Sequence, residues 1–142
     1  MAFFREGKMF RVAEFEKVKG RQVFKKFAFK GYKLDQDGNL SHYKKKISTK
    51  DKRRKNYVQV NMAVGQADIK GHKIYEEDYV FDYQNKVNGI IKYYKNMGAY
   101  ILRVDAGKIE IPYSVLDKDE LKLEVWGNSY SDKGRKNKWK NI

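Results

Sequence analysis

The chain has no cysteine, one proline and two histidines among 142 residues. Without thiols there can be no disulfide and no thiolate chemistry, and His42 and His72 alone offer little to a transition metal. Long apolar runs are missing too. No window approaches the roughly 18 apolar residues of a membrane span, and Met1-Ala2-Phe3-Phe4-Arg5-Glu6 lacks the apolar stretch of a signal peptide. The expectation is a soluble, cytoplasmic protein with no membrane contact. A Gly-rich phosphate loop, a nucleophile elbow and a paired metal motif are all missing, so no cofactor and no enzymatic activity are expected.

What is present is charge and aromatic surface. Hydrophobic residues make up 41% and aromatics 15% of the chain; large rings bury much area each, so a core is within reach at this length, as one domain or two very small ones. The net charge of +14 is unevenly spread: residues 1–60 hold 18 Lys/Arg against 6 Asp/Glu, residues 61–130 hold 9 against 11, and residues 131–142 hold 5 against 1. The implied organisation is a basic N-terminal part (1–60), a near-neutral middle (61–130) and a basic tail (131–142).

Met9, Phe10, Val12, Ala13, Phe15 and Val18 suit a strand or an amphipathic helix. Lys19-Gly20 and the run Arg21–Lys30 favour a hairpin, with Val23, Phe27 and Phe29 on one face and Lys25 interrupting it. A helix gathering Val23, Phe24, Phe27 and Ala28 remains the alternative. Leu34–Leu40 superficially resembles a calcium loop, but aligning Gly38 with that loop's glycine puts Lys33 and Lys44 at the first and last ligand positions, so a tight Asp-Gly turn is expected. Lys44–Lys55 carries eight cations and one carboxylate in twelve residues, which reads as a solvated loop or an interaction arm. Tyr57–Val64 alternates as a strand with Val58, Val60, Met62 and Val64 on one side.

Past residue 65 the rhythm becomes regular. Strands are expected at Asp78–Tyr83, Ile90–Lys95, Ala99–Val104, Lys108–Leu116 and Leu121–Tyr130, with turns between them. Pro112 falls inside the fourth, where a missing N–H is tolerated at an edge or a bulge. Short strands at about ten-residue spacing describe a small bent barrel or sandwich, and the order matches a five-stranded Src-homology-type barrel. The fold class is therefore mainly β, with α+β possible, and the N-terminal part is β or α+β.

The stretch Gly65-Gln66-Ala67-Asp68-Ile69-Lys70-Gly71-His72-Lys73-Ile74-Tyr75-Glu76-Glu77-Asp78-Tyr79-Val80 resembles the signature of the YopX family of phage and prophage proteins, "G, x, x, D, x, x, G, x, x, I, Y, E, G, D, x, V". Glu77 stands where that pattern has glycine. Leu123-Glu124-Val125-Trp126-Gly127-Asn128-Ser129-Tyr130 is similar to the family's closing "L, E, V, I, G, N, x, Y", with Trp126 at the aliphatic position. The resemblance covers roughly the C-terminal 60% of the chain. It implies a small β-barrel there, a homo-oligomer, an origin in phage or prophage of a bacterial host, and no settled biochemical activity.

Two clusters invite a functional reading. Glu76-Glu77-Asp78 is acidic, but consecutive strand residues point to opposite faces, so the carboxylates do not converge without a bend; a solvated turn competes with a metal or catalytic site. The basic and aromatic interleaving in Phe24–Lys33, flanked by Lys44–Lys55 and by Arg135–Lys140, suits stacking of bases and neutralisation of phosphates. The candidate nucleic-acid-binding residues are Lys25, Lys26, Lys30, Lys44, Lys45, Lys46, Arg53, Arg54 and Lys55. A competing expectation is an assembly module using Tyr79, Tyr83, Tyr93, Tyr94 and Tyr100 as exposed aromatics.

Overall fold

In a computed structural model of the chain, the structure describes residues 9–51, 53–96, 98–104, 109–111 and 122–131. All regular elements among them are strands, and one sheet curls into a half-barrel. The mainly β reading stands, and the helical alternative for the first segments gives way to a hairpin. Among the described residues no helix is long and apolar enough to cross a membrane. Contacts divide the chain into two compact units, Met1–Met62 and Ala63–Ile142. Pro112, Asp117–Glu120 and the basic tail lie outside the described residues.

In the first unit, Phe10–Val18 (β1) and Arg21–Ala28 (β2) form an antiparallel hairpin around Lys19-Gly20, both at positive φ (51° and 80°), which matches the twist of a two-residue turn. The first part of Asn56–Ala67 (β6) pairs on the other side of β1, from Phe10↔Met62 to Glu16↔Asn56. One face of this sheet carries Val12 and Val58, which join Tyr32 and Leu40 in a buried cluster. On the opposite face, Phe15 lies 5.8 Å from Phe24 and 5.6 Å from Tyr57, and the Arg11 guanidinium sits 3.6 Å over Phe27.

That second face corrects the expected pattern on β2. The ladder pairs Glu14 with Lys26 and Phe15 with Phe24, leaving Lys25 as an extra residue. Such a bulge restores Phe24 and Phe27 to one face, whereas Val23 is 46% exposed. Their i, i+3 spacing is why a helix fitted the same letters.

Tyr32–Leu34 (β3), Leu40–His42 (β4) and Lys45–Ile47 (β5) form a three-stranded meander. Asp35 makes the β3–β4 turn, accepting from Asp37 N (2.9 Å), Asn39 N (2.8 Å) and Asn39 Nδ2 (3.2 Å), with Gly38 at φ 85°. This is the expected Asp-Gly turn. The Lys44–Lys55 run is not wholly a loop: β5 pairs with β4 because Ile47 packs against the unit's core while its lysine neighbours face water.

In the second unit, the end of β6 pairs with Lys73–Tyr75 (β7), and five strands follow in the order β11-β10-β9-β8-β12: Asp78–Asp82 (β8), Val87–Tyr94 (β9), Ala99–Val104 (β10), Ile109–Ile111 (β11) and Leu123–Asn128 (β12). Val64, Ile74, Val80, Ile91, Leu102 and Leu123 make its core, each at most 3% exposed. A side chain at Gly89 would collide with the carbonyl of Arg103 across the β9–β10 ladder, so this position is held to glycine by strand spacing. Tyr79 is buried at 4%, unlike the exposed aromatic expected there. It lies on β8, an inner strand paired with both β9 and β12, where both faces are covered. Tyr83 and Tyr93 are exposed, as expected.

Candidate nucleic-acid interface

The nine candidate cations all fall in the first unit and all are exposed. Lys25 and Lys26 sit at the β2 bulge, Lys30 in the link to β3, Lys44 in the β4–β5 turn, and Lys45 and Lys46 on β5. Arg53, Arg54 and Lys55 belong to the segment entering β6, and that segment is pinned rather than free. Lys17 N donates to Lys55 O (2.9 Å), Lys17 Nζ to Arg53 O (3.2 Å) and Gln22 Nε2 to Arg54 O (2.7 Å). Holding the backbone this way turns the side chains outward at low entropic cost on binding.

An open groove of about 520 Å³ gathers some of these groups: Lys46, Lys50 and Arg54 line it with Ser48, Thr49 and the Asp37–Leu40 turn. A second groove, about 460 Å³, lies along Lys33, Leu34, Ser41 and Lys46. Lys46 lines both. Lys25, Lys26 and Lys30 line neither, so the structure groups Lys46 with Arg54 but not the whole set. Lys33 and Lys50 fall inside the basic stretches read from the sequence but outside the nine named candidates, and their place along the grooves follows from the meander's closure.

Carboxylates in this unit do little to neutralise the surface. Asp51 accepts from Arg53 N (3.0 Å) and pairs with Arg53 Nε (3.2 Å), and these contacts hold it below the usual carboxylate range, the backbone N–H foremost. Asp35 is lowered chiefly by its backbone bond from Asn39. Glu14 accepts from the Tyr32 hydroxyl at 2.6 Å; burial, and then this bond, pushes the phenol above its ordinary range. Lys46 and Arg54 act through charge on Asp35 and Asp51, and among the described residues Arg53 is the one member of the nine in an ion pair.

The acidic residues of the signature do something different. Asp68, buried, accepts from the backbone N–H of Lys70 (2.9 Å) and His72 (2.8 Å) with one oxygen and from Val125 N (2.9 Å) with the other, tying the turn to β12. Asp78 accepts from Tyr75 N (2.9 Å). Glu77 adopts φ 71°, the left-handed conformation for which a glycine is suited. Its carboxylate offsets that strain by meeting Lys92 Nζ at 2.7 Å and accepting from Ser129 Oγ at 2.6 Å. Glu124 receives Lys70 Nζ (2.6 Å), the Tyr83 hydroxyl (2.6 Å) and Trp126 Nε1 (3.0 Å), which hold its carboxyl down at about 2, Lys70 contributing most. Among the described residues no group of three or more His, Asp or Glu could hold a metal ion. These carboxylates act as fasteners of the fold.

His42 stacks on Tyr32 at 4.0 Å, and His72 Nδ1 lies 3.5 Å from Asp68 Oδ2 at an exposed turn. Comparisons with protein-family models, with curated proteins and with solved structures found no match.

Proposed function

We propose that this is a YopX-like accessory protein of phage or prophage origin, working without catalysis in the cytoplasm of a bacterial host, that binds nucleic acid through its phosphates. The observation that carries this reading is the surface of the first unit. Lys45, Lys46, Arg53, Arg54 and Lys55 are exposed on hydrogen-bonded backbone with Lys44 exposed in the adjoining turn, and Arg53 alone of the six forms an ion pair among the described residues. Contacts of that kind neutralise phosphates without reading bases, so binding is non-specific and salt-dependent.

The family assignment draws support from local chemistry. Gly65 (φ 90°), Gly71 (φ 86°) and Glu77 (φ 71°) occupy the three glycine positions of the pattern, and all are left-handed. Within this proposal the second unit is a five-stranded barrel of the Src-homology type. The supporting features are its antiparallel β11-β10-β9-β8-β12 order and tight turns.

Retardation of DNA or RNA fragments, measured from low to moderate salt, tests the proposal: log affinity should fall linearly with log salt. No retardation at low salt ends it. A second reading, a homo-oligomeric assembly module, is favoured by the exposed Tyr83 and Tyr93. It predicts a defined oligomer in light scattering and no salt-sensitive nucleic-acid affinity.

A further inference from the structure

The β4–β5 hairpin closes through two residues, Tyr43 and Lys44, flanked by the pair His42↔Lys45. Both central residues have positive φ, 49° and 73°. That turn geometry selects Asn-Gly or Asp-Gly, because other side chains are strained in it. The β1–β2 hairpin of the same unit conforms at its second position, with Gly20 after Lys19. The β4–β5 turn has no such residue at either place. An aromatic ring and an ammonium group stand where the backbone asks for asparagine and glycine, and such strain persists where something else holds it or uses it.

The ring is also held. Tyr43 N donates to Gly31 O at 2.9 Å, and a Cβ placed on Gly31 would come within 2.5 Å of the Tyr43 ring, so the ring lies flat over a position kept bare by glycine. His42 packs beside it at 4.6 Å, and His42 in turn stacks on Tyr32 at 4.0 Å with planes 13° apart. Yet Tyr43 remains 63% exposed. A preset, outward aromatic beside Lys44 and Lys45 is what an unpaired base and its phosphates would meet. Bases in a duplex present only edges and cannot reach it.

We infer that Tyr43 is a base-stacking platform and that the ligand of the basic unit is single-stranded nucleic acid. This rests on the nucleic-acid reading above and narrows it. Fluorescence anisotropy with labelled single-stranded and duplex oligonucleotides of equal length, on the full chain at low and moderate salt, tests it. Tyr43→Ala should weaken single-strand binding about fivefold or more, leave duplex binding within about twofold, and be rescued by Tyr43→Phe. Tyr43→Asn removes the ring while suiting the left-handed turn, so it should lose the same single-strand affinity with a melting temperature no lower than that of the parent chain. Equal single-strand binding by parent, Ala and Asn variants, with salt-sensitive binding retained, overturns the platform and leaves the phosphate reading standing. No binding of either oligonucleotide by the parent chain overturns both. Loss of a defined oligomer in Tyr43→Asn, with nucleic-acid binding intact, would reassign the ring to self-assembly and also overturn it.

Discussion

In the unit ending at Met62 the described cations, apart from the buried Arg11, stand outside in few ion pairs, while in the unit beginning at Ala63 the carboxylates are drawn inward and used as latches: Asp68 on β12, Glu77 on Lys92 and Ser129, Glu124 on Lys70 and two ring donors. Exposed like charge contributes little to folding and is available to a partner. A buried acid with several donors is the reverse, since those of its donors that water does not reach stay unsatisfied when it is lost. Charge in the second unit therefore belongs to stability, and in the first, under the proposed function, to association.

Asp68→Ala should show this most strongly. It orphans three backbone N–H groups and should cost about 3 kcal/mol in chemical denaturation; a loss under about 1 kcal/mol would break the contrast. Glu77 comes next. Glu77→Ala keeps the left-handed strain but removes both partners, costing about 1.5 kcal/mol, whereas Glu77→Gly should be about 1 kcal/mol more stable than the alanine variant. Equal midpoints for the two would deny the strain.

Acid titration of stability sharpens the picture at Glu124. Its carboxyl is held at about 2 against an ordinary 4.5, so the folded state favours the charged form. The stabilisation is complete above about 4.5 and disappears as pH falls towards 2. Lys70 is largely exposed, which screens part of the effect, and Glu124→Gln should flatten this acid limb by about 1 kcal/mol. An unchanged limb would assign the acid sensitivity elsewhere. The smallest expected change in stability, within about 0.5 kcal/mol, belongs to Lys45→Gln and Lys46→Gln. Each should nonetheless lower the salt slope of nucleic-acid binding by about one.

Much of the strand plan was legible because alternation and turn residues are local. Asp78–Asp82, Ala99–Val104 and the Lys19-Gly20 hairpin follow from them directly. The β2 faces were not legible, since a bulge depends on the partner strand's register. The burial of Tyr79 depends on its strand being paired on both edges, which no single run of letters encodes. Lys25 and Arg54 look alike as letters, but only tertiary closure sets Arg54 with Lys46 along a groove. The left-handed backbone at Glu77 was not legible either, because the Lys92 and Ser129 groups that meet its carboxylate come from distant parts of the chain.

The unmatched Lys25 has a consequence for how this chain tolerates change in length. Removing that codon would leave Phe24 and Phe27 separated by one residue, on the same side, within an uninterrupted ladder against Glu14 and Phe15. Most single-residue deletions inside a strand turn its side chains over; here the hairpin has a built-in slot where one residue can come or go with the aromatic face kept upright.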